Sequence, residues 1–194
     1  MEWFPFLLYV FVTSFTPGPN NMMSMVSATR FGYRQTLRFI SGVAIGTAVI
    51  AAACSFFQLL LAAYLPSIKF WLSILGACYM VYLAVKLLRA KPGESREQRE
   101  KGNSFFAGLL LQFVNPKVIL YGITTVSTFI LPFYHSRSSL FLFSLLLGFV
   151  GFLSTSSWAI FGALFQKWLA KYHKAFHTVM GLLLLYSAVL IFSE

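Results

Sequence analysis

Acidic residues are nearly missing from this chain: five against 15 lysines and arginines in 194 residues, with charged residues of both signs at only 10%. A soluble domain averages about 25% charged and about 45–50% apolar residues. Here the apolar share is 58%, with 22 phenylalanines. A water-soluble domain of this size could not bury that much apolar surface, and the remainder would aggregate. Lipid removes the problem, so the composition points to an all-α integral membrane protein. Cysteine is also scarce. Cys54 and Cys78 lie in apolar runs with no CxxC and no Cys/His cluster, which leaves no zinc site and suggests small hydrophobes in helix packing. HExxH, GxSxG and P-loop motifs are absent, so neither an enzyme nor a nucleotide-driven pump is indicated, and no cofactor is implied.

The net charge of +10 would suggest nucleic acid in a soluble protein. Here the basic residues stand between apolar runs, where they follow the positive-inside rule and meet anionic lipid head groups, so nucleic acid is not a partner. A helix needs about 20 mostly apolar residues to cross the hydrocarbon core. The runs predict six spans, at 3–25, 40–65, 68–90, 104–131, 139–163 and 176–193. The boundary between the second and third depends on a tight turn at Tyr64-Leu65-Pro66-Ser67. The first, third and fifth intervening segments hold twelve basic residues, among them Arg30, Arg34, Arg38, Lys86, Arg89 and Lys171, whereas the other side holds Lys69 and Arg137. That bias places those three segments in the cytoplasm and both termini outside. Met1-Glu2-Trp3 has no basic start and no cleavage site, and is expected to open a retained first helix.

The stretch from Lys91 to Asn103 reads as a solvated linker and divides the chain into repeat one (about 1–90) and repeat two (about 104–194) of a single transporter domain. Thr16-Pro17-Gly18-Pro19-Asn20 interrupts the first span, and Asn115-Pro116-Lys117 interrupts the fourth. Pro17 and Pro116 are 99 residues apart. Three spans per half insert the halves in opposite orientations, which is the pattern of an inverted repeat, and matched broken helices point to a midplane site.

Each break has a chemistry. Proline cannot donate to the carbonyl four residues back. Pro17 and Pro19 would free the carbonyls of Thr13 and Phe15, and Pro116 that of Gln112. Gly18 allows unwinding, and Asn20 and Asn21 could cap the next half-helix. Lys117 is the one ionisable side chain deep in a span, and burying it costs about 2.5–3.5 kcal/mol; the bland alternative is a lysine that snorkels to the interface. Half-helix N-termini and Lys117 favour a carboxylate, and free carbonyls favour an ammonium. A free α-amino acid has both groups, and the lack of any Asp or Glu within a span favours a neutral one. The candidate site is therefore Thr16, Pro17, Gly18, Pro19, Asn20, Asn21, Gln112, Asn115, Pro116 and Lys117.

Other features read as packing. Gly42-xxx-Gly46, Gly148 and Gly151 would let helices approach closely. Ser154-Thr155-Ser156-Ser157 and Thr124-Thr125-Val126-Ser127-Thr128 would either bond between helices or line a pathway. Met22, Met23 and Met25 do not share one helix face, so core filling is favoured over a soft-metal route. His135, His173 and His177 read as a solvated edge.

Thr16-Pro17-Gly18-Pro19-Asn20, then Phe31-Gly32-Tyr33-Arg34 and Gly42-xxx-Gly46, resemble the opening of the LysE/RhtB amino-acid exporters. Leu111-Gln112-Phe113-Val114-Asn115-Pro116-Lys117 is similar to the family's fourth-helix motif. The likeness covers essentially the whole chain. Where the family commonly has a further glycine, this chain has Gln35-Thr36, and the runs Gly32 to Arg38 and Gln112 to Gly122 are similar to the cysteine/O-acetylserine exporter subgroup. The resemblance implies efflux of cysteine and O-acetylserine from the bacterial cytoplasm across the inner membrane, while relatives handle homoserine, threonine, leucine or metal ions. A membrane enzyme acting on lipid head groups would need clustered acids or histidines that this chain lacks. A purely structural subunit would use its breaks only for packing. Self-association into a homo-oligomer stays open.

Overall fold

A computed structural model describes residues 1–89 and 103–190, and the predicted linker falls almost wholly outside them. The described residues are mostly helical, without a strand. In chain order the helices are α1 (Trp3–Phe15), α2 (Pro19–Phe31), α3 (Tyr33–Phe56), α4 (Gln58–Leu88), α5 (Phe105–Val114), α6 (Pro116–Thr124, continued by a π-helical stretch Thr125–Ile130), α7 (Arg137–Leu164), α8 (Gln166–Lys171) and α9 (His173–Leu190).

Local signals explain most boundaries. Ser104 caps α5 by accepting from the Ala107 N–H at 3.1 Å, and Ser136 caps α7 by accepting from Ser139. Pro19 and Pro116 each open a helix at its first position, where a missing N–H costs nothing. Gly32 ends α2 and turns the chain into α3 at φ 78°, in the left-handed region that favours glycine.

Two predicted boundaries are corrected. The chain turns at Gly32 and Phe57, so the second span lies at Tyr33–Phe56 rather than 40–65. A single glycine suffices for the first turn, and Arg34 and Arg38 remain exposed on the helix, where long cationic side chains can reach out of an apolar environment. The turn expected at Tyr64-Leu65-Pro66-Ser67 is absent, because α4 runs unbroken from Gln58 to Leu88. Pro66 is accommodated inside the helix, as prolines are in membrane helices when neighbouring groups satisfy the freed carbonyl.

Two helices, Tyr33–Phe56 and Arg137–Leu164, are long and apolar enough to cross a membrane; a third span follows if α5 and the α6 stretch, bent by 66° at their junction, count as one. Shorter apolar helices are Trp3–Phe15, Ser73–Val85 and Lys174–Val189. Large apolar side chains cover the outside, Phe4 and Leu164 each at 76% exposure. Such a surface is stable against lipid and not against water.

Inside, α3 packs along both α5 and α7, α2 packs on α7, and α4 packs on α9. Glycines permit the closest of these contacts. A Cβ on Gly42 would overlap the Phe105 carbonyl, and one on Gly108 would overlap the Phe39 carbonyl, so α3 and α5 touch backbone to backbone. Gly148 is similar, with the Ala44 carbonyl oxygen 2.7 Å from an added Cβ. Met22 and Met25 fill the core between α2, α4 and α9, as expected of core methionines. Cys54 is buried among apolar neighbours, whereas Cys78 is exposed on α4 and does not contribute to internal packing. His177 is likewise not at a solvated edge: it is buried, edge-on to the Phe176 ring at 5.7 Å. The apolar surroundings of α9 draw its ring inward, and the imidazole's apolar body tolerates that burial when its nitrogens have partners.

Candidate functional site

The breaks after α1 and after α5 meet at one cavity of about 450 Å³, counted out to its mouth. The first break supplies Gly18, Pro19, Asn20 and Asn21, and the second supplies Asn115 and Lys117. Thr13 and Ser14 of α1, Val118 and Tyr121 of α6, Val43 and Thr47 of α3, and Gly151, Ser154 and Thr155 of α7 complete the lining.

An amide cluster joins the breaks. Asn20 Nδ2 donates to Gln112 Oε1 at 2.8 Å, and Gln112 Nε2 donates back to Asn20 Oδ1 at 3.1 Å. Asn115 Nδ2 also donates to Asn20 Oδ1, at 3.2 Å. Gln112 is fully buried, and its Nε2 also reaches the Gly108 carbonyl at 2.8 Å. Removing Asn20 strips partners from two buried amides, each loss worth about 1–3 kcal/mol. Asn20→Ala is therefore expected to lower the stability of the detergent-solubilised protein by about 2 kcal/mol, read as a fall in Tm. Adding Gln112→Met should cost less than the sum of the two single changes, because the two residues share one interaction.

The ends of the half-helices differ from expectation. Asn20 and Asn21 do not cap α2; Gly18 is its N-cap residue, with no side-chain bond, and Asn115 likewise gives α6 no side-chain cap. Proline at the first helical position moves each asparagine into the helix or its edge, away from its own free N–H groups. Asn21 instead donates to the Ser14 carbonyl at 2.8 Å and the Thr16 carbonyl at 2.9 Å, and accepts from Ser154 Oγ at 3.0 Å. Two uncapped helix N-termini thus face the cavity, each with partial positive charge.

The carbonyls freed by proline are not vacant. Thr13 accepts from Thr16 Oγ1 at 3.0 Å, Phe15 from Trp158 Nε1 at 3.2 Å, and Gln112 from the Asn115 N–H at 3.3 Å. Unpaired backbone acceptors are costly away from water, so nearby donors close on them. The ammonium in this region is the protein's own. Lys117 Nζ lies 2.9 Å from Thr16 Oγ1, 3.1 Å from the Pro17 carbonyl and 3.4 Å from the Thr16 carbonyl. It is half-buried and ties the second break to the first. An added Cβ on Gly18 would sit 3.3 Å from Lys117 Nζ, so glycine there keeps room for the ammonium. Two buried polar atoms of the cavity-lining residues lack a partner, Asn115 Oδ1 and the Tyr121 hydroxyl. Tyr121, stacked on Tyr9 at 6.2 Å, brings its hydroxyl near Ser14 without a well-formed hydrogen bond.

All ten candidate residues lie at or beside the two breaks, and nine of them touch the cavity or bond to a residue that does. Pro116 instead packs against Gly76 of α4. Of the hydroxyl runs, Ser154 and Thr155 reach the cavity; Thr125 is buried away from it, and Ser127 and Thr128 are exposed. Sequence reasoning passed over Ser14, Val43, Thr47, Val118 and Tyr121, which look like ordinary helix residues until the helices are packed. No cluster of potential metal ligands occurs among the described residues.

Comparison with known proteins gives a consistent result. The family model described as LysE type translocator matches residues 11–194. The cysteine/O-acetylserine efflux protein of Escherichia coli is 40% identical over 187 residues, covering 96% of this chain and 95% of that protein. The proteins of the same name from Shigella sonnei and Shigella flexneri are similar to the same extent. No solved structure matches.

Proposed function

We propose, from the premise that this chain belongs to the LysE type translocator family, that it exports small neutral amino acids, cysteine and O-acetylserine foremost, across the bacterial inner membrane. The observation that carries the reading is the convergence of two uncapped half-helix N-termini and Lys117 on one cavity. A substrate carboxylate is stabilised there by helix dipoles and a cation together. Asn115 Oδ1, buried and unpartnered, is the acceptor for the substrate ammonium. No acidic residue lines the cavity, which favours a neutral side chain.

The helix order supports two repeats of three spans, six in all. A broken helix, a long helix and a third helical unit occur in 1–89 and again in 103–190. Two of the packing pairs, α3 with α7 and α4 with α9, join helices that would be equivalent in such a repeat. In an inverted repeat such a site opens alternately to either side. Arg30, Arg34, Arg38 and Arg89 near helix ends favour a cytoplasmic face there, with both termini outside. The proton gradient or membrane potential is the energy source in this reading.

The test is counterflow in proteoliposomes loaded with unlabelled amino acid. Labelled cysteine and O-acetylserine are expected to accumulate transiently. If only other amino acids accumulate, the substrate assignment is wrong and the exporter class holds. If no amino acid moves, the class itself is refuted.

A further inference from the structure

We infer that Thr47 and Gly151 line the subsite for the substrate's side chain and set its width; this rests on the amino-acid export proposed above. Two independent observations point there. The first is a hydroxyl without a bond. On α3, Thr36, Ser41 and Ser55 each donate to the carbonyl four residues earlier, at 3.0, 2.8 and 2.9 Å. Such back-bonding is the usual resting state of a helical hydroxyl. Thr47 is 5% exposed, lines the cavity, and makes no hydrogen bond among the described residues. Its hydroxyl is thus available to a ligand in the cavity, without a bond within the protein to break first.

The second observation is a glycine that packing does not require. Gly42, Gly46, Gly108, Gly148 and Gly162 each stand where an added Cβ would come within 3.0 Å of a neighbour, so close helix contact explains them. Gly151, on the cavity wall, does not: an added Cβ would meet only the Thr47 side chain, at 3.5 Å from Oγ1 and 3.8 Å from Cγ2. Those are ordinary contact distances. The missing side chain leaves space beside the open hydroxyl rather than a route for another backbone.

The charged end of an amino acid belongs at the breaks, with Lys117 and Asn115. The remaining wall, where α3 crosses α7, is then left for the side chain. The Thr47 hydroxyl can donate there to a thiol or to an ester carbonyl.

Two substitutions should move selectivity in opposite directions. Gly151→Ala narrows the subsite without straining either helix. It is expected to raise the ratio of cysteine to O-acetylserine counterflow about fivefold or more, since one methyl at such a wall discriminates by about tenfold or more. Thr47→Ser removes the facing methyl and keeps the hydroxyl, and should lower the ratio about threefold. An unchanged ratio in both variants, or a shift of both in the same direction, overturns the subsite. Should Gly151→Ala give no measurable flux, Thr47→Ser alone decides. If the wild-type protein moves neither amino acid, the reading beneath has failed and the subsite falls with it.

Discussion

Lys117→Met will lower amino-acid flux at least about a hundredfold in proteoliposomes while leaving the protein as thermally stable as before. The two halves of that expectation come from opposite energies. Methionine keeps the length and apolar stem of lysine but cannot face a carboxylate. Removing one partner of a close, desolvated charge pair costs about 2–5 kcal/mol, and a hundredfold loss needs about 2.8 kcal/mol. Stability moves the other way, because an ammonium within a span costs about 2.5–3.5 kcal/mol to insert and methionine removes that cost. Against this stand the bonds from Nζ to Thr16 and Pro17, which methionine gives up. The two contributions nearly cancel. Flux by counterflow and Tm in detergent, measured on one preparation, separate the roles. Unchanged flux would remove Lys117 from the site, and a Tm that falls with flux would make it a brace only. Lys117→Arg should not rescue, since Gly18 leaves room for a slim ammonium and not for a planar guanidinium.

The largest effect on stability is expected from Gly108→Ala, at about 3 kcal/mol, the upper end of the cost of overpacking a tight core. The added methyl would press on the Phe39 carbonyl, and its next neighbour, the Val43 backbone N, is 3.0 Å away. Both belong to α3, whose other faces are held by α7 and α2, so neither can shift alone. Separating α3 from α5 also pulls on Gln112, which lies one turn beyond Gly108 and is bonded to its carbonyl. Flux should therefore fall together with Tm. Gly151→Ala is the internal contrast, since it changes selectivity with no loss of Tm. A Gly108→Ala protein that melts with wild type would mean that the helices are not in backbone contact.

The sequence signals that proved readable were those with a local physical cause. Pro17, Gly18, Pro19 and Pro116 mark breaks because proline removes a donor wherever it stands, and both breaks fall there. Lys117 stood out because a cation in an apolar run is costly anywhere. What escaped depended on neighbours distant in sequence. The carbonyls freed at Thr13 and Phe15 looked open until Trp158 and Thr16 were seen to reach them. Thr47 resembles any helical threonine, and its significance appears only beside Gly151, 104 positions later. Pro66 misled for the complementary reason. Proline ends helices in water, and that rule weakens where surrounding groups satisfy the backbone, so α4 passes through it.

The carbonyls of the first break have a mechanical consequence. Ser14 accepts from Ser154, Phe15 from Trp158, Thr16 from Lys117, and Pro17 from Lys117 and from Ser187 at 3.1 Å. Every one of these donors lies beyond residue 103. The segment between α1 and α2 is thus fastened by these bonds to the half of the chain beyond residue 103. If the two halves rock as proposed, the Phe15 and Pro17 carbonyls must follow their donors or stand bare in a medium that penalises bare acceptors, whereas those of Ser14 and Thr16 keep Asn21 Nδ2. In that proposed motion the boundary between the moving bodies runs through the chain at the break rather than through the linker.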